Sequence, residues 1–219
     1  MSDIQHLPTY TDDLIAEKQG ATGWLTFNRP ERMNAVNYDM WCAIPEVMAR
    51  FEKDEEIRII ALKGAGNKAF VAGADISQFG ENRGSADAAQ EYEQKNLEAF
   101  SAIASCQKPT LAMINGYCIG GGLGIALSCD IRIASVGSTF AIPAAKLGLG
   151  YPAEGIKHIV SLIGPQFAKE LFFTAHQFTH DEALKMGLIN QLTSQEDLSE
   201  KTETGQTRDR RSCSSTREL

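Results

Sequence analysis

A chain of 219 residues, 43% hydrophobic and 22% charged, can fill the core of one large domain or two small ones, and this composition excludes disorder along its whole length. Its 21 basic and 28 acidic side chains leave a net charge of −7, which argues against a nucleic-acid binder working by bulk electrostatics, and no run of about 18 apolar residues offers a membrane span. The first residues, Met-Ser-Asp-Ile-Gln-His, lack the basic and apolar regions of a secretory signal, and five scattered cysteines without a CxxC pair (Cys42, Cys106, Cys118, Cys129, Cys213) predict neither zinc nor disulfides. A reducing, cytoplasmic setting and no metal are the expectation.

Residues 12–28 predict a hairpin: Leu14 and Ala16 alternate with polar residues, Gly20 and Gly23 bracket the turn, and Trp24, Leu25 and Phe27 resume an extended pattern. A loop broken by Pro30 follows. Asn37 can cap a helix carrying Trp41, Ile44, Val47, Met48 and Phe51 at spacings of three and four, and Pro45 should kink it. Ile57–Leu62 is a buried strand, and Ala69–Val71 a short one entering a turn at Gly73. A long helix is predicted from about Ala86 to Ser105, with Tyr92, Leu97, Phe100, Ile103 and Ala104 as its apolar stripe. The strand Thr110–Ile114 leads to Asn115-Gly116 and the cluster Gly120-Gly121-Gly122-Leu123-Gly124, then a helix through Leu127 and a strand through Ile133. Residues 155–188 predict helix, broken at Gly164-Pro165, and Leu188–Leu192 a last strand. The rhythm of strand, strand and helix predicts an α/β fold.

The glycine cluster opens a helix after a strand. Free N–H groups at such a start favour an anion or a developing oxyanion, and the missing Cβ atoms let a ligand approach the backbone. A tight strand–helix turn explains the cluster equally well. No dinucleotide-binding or Walker register fits. In Ala72-Gly73-Ala74-Asp75-Ile76, Asp75 reads better as a helix cap than as a catalytic acid, which leaves the Ala74 N–H to face a ligand. Two N–H donors from separate loops, converging on one oxygen, make an oxyanion hole.

Between about residues 12 and 193 the chain resembles the crotonase, or enoyl-CoA hydratase/isomerase, superfamily. The resemblance rests on the order and spacing of Asn28-Arg29-Pro30 with Asn34-Ala35, Ala72 to Ile76, Lys108-Pro109, Asn115-Gly116 with Gly120-Gly121-Gly122, and Ser128-Cys129-Asp130. It implies a spiral of ββα turns, homotrimers or hexamers, an acyl-CoA thioester as substrate, and no cofactor beyond the coenzyme A of that substrate. Ala74 and Gly121 match the two oxyanion-hole positions, and Gly122 lies beside them. Arg32 and Met33 match a loop lining the coenzyme A. Ala72, Asp75 and Ile76 match backbone around the adenine and thioester arm, and Lys68 matches a phosphate contact, although a solvated surface lysine explains it as well.

Two departures stand out. Hydratases of the superfamily use two glutamates; the matching positions here are Gly124 and, after Pro143, Ala144. Neither transfers a proton, so the resemblance predicts thioester binding and enolate stabilisation better than hydration. Pro143 and Ala144 remain pocket positions. Tyr151, placed like the tyrosine of the superfamily's decarboxylases, and Glu154 are the replacement candidates; a pocket-wall tyrosine and a helix N-terminal charge explain them without catalysis. His158 reads as a packing or helix-surface residue, and Cys118 and Cys129 as small core side chains. The expected function is an acyl-CoA enzyme of the hydratase/isomerase type; the alternatives are a decarboxylase or isomerase using Tyr151 or Glu154, and a non-catalytic acyl-CoA binder.

From Ser194 to Leu219 the chain is polar and predicts a disordered tail, as though a truncation or frameshift had removed or replaced the C-terminal helical cover. Residues 1–193 then form the acyl-CoA domain, and Phe167, Leu171, Phe172 and Phe173 would be left exposed.

Overall fold

The computed structural model describes residues 4–75, 77, 86–148, 150, 151 and 153–198, without the side chains of residues 86 and 154. The predicted hairpin is β2 (Leu14–Gln19) and β3 (Thr22–Phe27), antiparallel, with Leu14 opposite Phe27. β1 (Ile4–Leu7) extends its outer edge; its largely exposed residues carried no inward-facing pattern to read. β4 (Ile59–Gly64), β6 (Thr110–Ile114), β8 (Ile131–Ser135) and β11 (Gln191–Thr193) continue from β3 in parallel, in the order β1-β2-β3-β4-β6-β8-β11. All six residues of β3 and the first four of β4 are buried, as expected of strands covered on both faces.

A second sheet, in the order β10-β9-β7-β5, joins β5 (Ala69–Val71), β7 (Tyr117–Ile119) and β9 (Thr139–Ala141) in parallel, with β10 (Phe178–Thr179) antiparallel at its edge. Strands of two or three residues are too short to show a period, and β7, β9 and β10 were not foreseen.

Asn37 caps α1 (Tyr38–Lys53): its side-chain oxygen accepts the Met40 N–H at 2.9 Å. Pro45 lies inside this helix, which runs from Tyr38 to Lys53. At its other end the Lys108 ammonium donates to the carbonyls of Phe51 (2.6 Å) and Asp54 (2.5 Å), groups no helical N–H reaches. Asp130 secures the start of β6 by accepting the Thr110 N–H (2.7 Å) and hydroxyl (2.9 Å). Two of the family-like motifs are thus structural clamps. The other helices are α2 (Ala86–Ala104), α3 (Gly121–Ser128), α4 (Ala144–Leu147), α5 (Ala153–Thr174) and α6 (His180–Met186). The break predicted at Gly164-Pro165 within the 155–188 helix is present, Gly164 being non-helical (φ 76°, ψ 163°), and a second, unforeseen interruption follows Thr174. α5 bends at Gly164, β10 follows, and a capping box between Thr179 and Glu182 starts α6.

One continuous core contains Trp41, Tyr92, Phe27, Phe51, Phe70 and Phe140. Cys118 and Cys129 lie in it, and burial pushes both thiols up, so they are inert packing groups, as read. The boundary at 194 moves. Ser194 Oγ donates to Asp197 at 2.7 Å, and Leu198 is buried against Leu111 and Ile133, so residues 194–198 dock on the large sheet. The tail from 199 onward lies outside the described residues. Of the four apolar residues expected on the surface only Phe173 is widely exposed; Leu171 is fully buried, and Phe167 and Phe172 pack on the core. Among the described residues no helix is long and apolar enough to cross a membrane, and no cluster of His, Cys, Asp and Glu could hold a metal.

Candidate active site

Because β5, β7 and β9 run parallel, the segments that follow them emerge at one end of the small sheet: residues 72–75, the turn at Gly120, and Ile142-Pro143-Ala144. Gly120 adopts φ 54°, ψ −119°, a conformation open to glycine, and its N–H donates to the Ala141 carbonyl at 2.8 Å. A Cβ there would lie 3.9 Å from both Gly73 Cα and Pro143 Cδ, so the three segments touch at this point. A Cβ on Gly122 would run into the Val71 carbonyl, which makes Gly122 the condition for packing α3 on β5.

Ala74 forms a parallel bridge with Val36, in which Val36 N–H donates to the Gly73 carbonyl (2.9 Å) and Asp75 N–H to the Val36 carbonyl (2.8 Å). The Ala74 N–H takes no part in it. Gly121 is the first residue of α3, so its N–H has no acceptor within the helix. Among the described residues neither N–H has an acceptor. A Cβ on Gly121 would stand 3.8 Å from the Ala74 nitrogen, so the two donors are neighbours. Such a pair, with the positive end of α3 behind it, can stabilise an oxygen that gains negative charge.

Asp75 holds this loop in place. Its carboxylate accepts from Arg29 Nη1 (2.9 Å) on one oxygen, and from the Ser77 N–H (3.0 Å) and hydroxyl (2.6 Å) on the other. Burial acts to raise its pKa; the hydrogen bonds from Ser77 and Arg29 outweigh that and hold it below the ordinary carboxylate value. Both oxygens are committed, so Asp75 positions the Ala74 segment and offers no acid; the short helix it was expected to cap lies outside the described residues. Arg32 and Met33 lie across from it on an exposed turn, where the Met33 carbonyl accepts the Ala72 N–H at 3.0 Å. Asn34 fastens that turn, donating to the carbonyls of Ala65 (3.0 Å) and Ala69 (2.8 Å).

Ala72, Ala74, Asp75, Gly121, Gly122, Pro143, Ala144, Arg32 and Met33 are thus brought to one end of the small sheet. Lys68 is not. It precedes β5, and the four residue steps from it to Ala72, at about 3.3 Å each, put it roughly 13 Å away. There it lines an open cleft of about 260 Å³ with Asn67, Asn115, Tyr117, Thr139 and Gln195. Tyr151 lies beyond α4, half-buried, its ring edge-on to Phe172 with centroids 5.0 Å apart; burial raises its pKa, so the phenol stays protonated through neutral pH. Ile76 and the Glu154 side chain lie outside the described residues. His158 ties α5 to α3 through a 2.8 Å contact with the Leu127 carbonyl, a packing role.

Sequence reasoning missed the aromatic cover of α3. Trp41 Cζ2 lies 3.2 Å from the position a Gly121 Cβ would take, and Phe100 Cζ 2.8 Å from that of Gly124. The Trp41 indole N–H donates to the Tyr92 hydroxyl at 3.1 Å in the core. Ala144 is buried, so the lining at both positions carries no ionisable group.

A family model described as Enoyl-CoA hydratase/isomerase matches residues 17–208, reaching beyond Leu192, where family-like sequence was expected to stop. A short-chain-enoyl-CoA hydratase of Clostridium acetobutylicum is 37% identical over 187 residues, covering 85% of this chain and 71% of the relative. A crotonyl-CoA hydratase of Syntrophomonas wolfei is 36% identical over the same length and coverage. Among solved structures, an enoyl-CoA hydratase/carnithine racemase from Magnetospirillum magneticum superposes with a TM-score of 0.88 at 32% identity, over 91% of this chain and 75% of that one. The order of the two sheets, the glycine turn into α3 and these matches together place the chain in the enoyl-CoA hydratase/isomerase family, as an enzyme of that type.

Proposed function

We propose that the protein binds an acyl-CoA thioester with its carbonyl oxygen between the N–H groups of Ala74 and Gly121 and stabilises the enolate. The observation that carries this is the pair of neighbouring N–H donors, Ala74 after β5 and Gly121 at the start of α3, neither of which has an acceptor among the described residues. Hydrogen bonds to that oxygen strengthen as charge builds on it, so they lower the barrier to any enolate-forming step. Hydration needs an acid and a base to manage water, and the matched positions hold Gly124 and Ala144. Rapid hydration of 2-enoyl-CoA is therefore not the proposed reaction, although the relatives compared above are named hydratases.

The lining favours a second reading, decarboxylation of an acyl-CoA with a carboxylate on Cα. The Cα–carboxyl bond breaks, its electron pair passes into the enolate, carbon dioxide leaves, and an acid protonates Cα. No base is required. Tyr151, protonated at neutral pH, supplies the acid in this reading and regains its proton from solvent. Glu154 is the alternative donor at the start of α5. Self-association into trimers or hexamers is proposed on the strength of the family resemblance.

The test is infrared difference spectroscopy of butyryl-CoA labelled with ¹³C at the thioester carbonyl. The carbonyl band should move to lower wavenumber on binding, and Gly121→Pro should reduce the shift. Binding without a shift overturns the oxyanion reading. Assays with crotonyl-CoA and malonyl-CoA separate hydration from decarboxylation; loss of carbon dioxide release in Tyr151→Phe would support Tyr151 as the acid, and thioester binding without turnover would leave a non-catalytic binder.

A further inference from the structure

Gly121 and Gly124 are one helical turn apart on the same face of α3, and two rings cover that face. Trp41, from α1, sits over Gly121 and is 1% exposed, locked by its bond to Tyr92. Phe100, from α2, sits over Gly124; its Cζ and Cε1 occupy points 2.8 and 3.0 Å from where a Cβ would stand. The rings meet edge to face, with centroids 5.4 Å apart and planes at 75°. Phe100 is the partly exposed member of the pair. Its side chain therefore fills the space vacated at position 124 and keeps part of its surface exposed.

Resting on the reading that the thioester carbonyl lies between Ala74 and Gly121, we propose that Phe100 is a specificity-determining residue that sets the depth of the acyl site. Gly124 is about 4.5 Å along the helix axis from Gly121. At about 1.5 Å per C–C bond that is roughly a four-carbon acyl group. A chain that leaves the carbonyl along α3 meets the Phe100 ring at this depth. The substrate class is the CoA thioester of a short acyl group, packed against an aromatic wall where a side chain at position 124 would otherwise project.

Calorimetric titration of the full chain with acetyl-, butyryl-, hexanoyl- and octanoyl-CoA, and with free coenzyme A, tests this. The unsubstituted protein should bind butyryl-CoA at least tenfold more tightly than octanoyl-CoA. Phe100→Ala should remove that gap by a gain of tenfold or more for octanoyl-CoA, with affinity for free coenzyme A unchanged. Phe100→Leu, which keeps more of the packing, should fall between the two and serves if the alanine variant does not fold. An identical chain-length profile in the unsubstituted and Phe100 variants overturns the proposal. Failure of the unsubstituted protein to bind any thioester overturns the oxyanion reading beneath it, so the two failures are distinct.

Discussion

Gly124→Ala is expected to destabilise the protein only while Phe100 is present. The added Cβ would stand 2.8 Å from Phe100 Cζ and 3.0 Å from Cε1. Carbon atoms pack best at about 3.5–4.0 Å, so the ring must retreat by roughly 0.7 Å or more. Trp41, in edge contact and buried, resists that movement. Overpacking of this kind costs about 1–3 kcal/mol. Against it stands the gain of replacing a helical glycine by alanine, about 1 kcal/mol. The net expectation is between no change and a loss of about 2 kcal/mol. With Phe100→Leu already in place the obstruction is gone, and the same substitution should stabilise by about 1 kcal/mol. Urea unfolding of the four proteins in this cycle gives the coupling, expected at about 1–3 kcal/mol. Additivity within about 0.5 kcal/mol, or a full gain from Gly124→Ala alone, would refute the view that ring and glycine are matched.

Three further expectations follow from single residues. Gly121→Pro removes one N–H at a helix position where proline is tolerated, so a folded variant should lose about 10²–10³ in turnover of its thioester substrate; undiminished turnover would clear Gly121 of that role. Asp75 has a depressed pKa in the fold, so its stabilising effect is full above the unfolded value near 4 and is lost as pH falls through the folded one; stability of Asp75→Asn should depend less on pH in acid, and parallel acid-unfolding curves for the two proteins would contradict this. The Asn96 side-chain oxygen is buried in α2 and has no hydrogen-bond partner among the described residues, so Asn96→Leu should stabilise by about 1 kcal/mol, read as a rise in melting temperature; a fall would contradict this.

The central strands were legible because β3, β4 and β6 bury consecutive residues and leave no room for a helical period. The loops of the site were legible for a different reason. Gly120 and Gly122 are demanded by a backbone conformation and by a contact with Val71, so their spacing survives as a motif. Lys68 shows the limit of that logic. It stands six positions before Ala74, yet an extended strand lies between them and carries it to the opposite end of the sheet. Leu198 shows another limit: one apolar side chain in a polar segment gives no pattern, although it fills a gap between Leu111 and Ile133.

The aromatic cover was illegible because Trp41 and Phe100 come from separate helices, and each reads only as part of its own helical stripe. The one local sign was Gly124 itself. A glycine inside an eight-residue helix costs about 1 kcal/mol in propensity, and close approach by another group is a reason to accept that cost. The absent carboxylate at position 124 and the ring of Phe100 are in this sense a single feature. A glutamate at 124 without trimming Phe100 would have to displace the ring with its Cβ and then place its carboxylate in the same space, so Gly124→Glu alone should not create a hydratase, and the pair Gly124→Glu with Phe100→Leu gives the carboxylate more room.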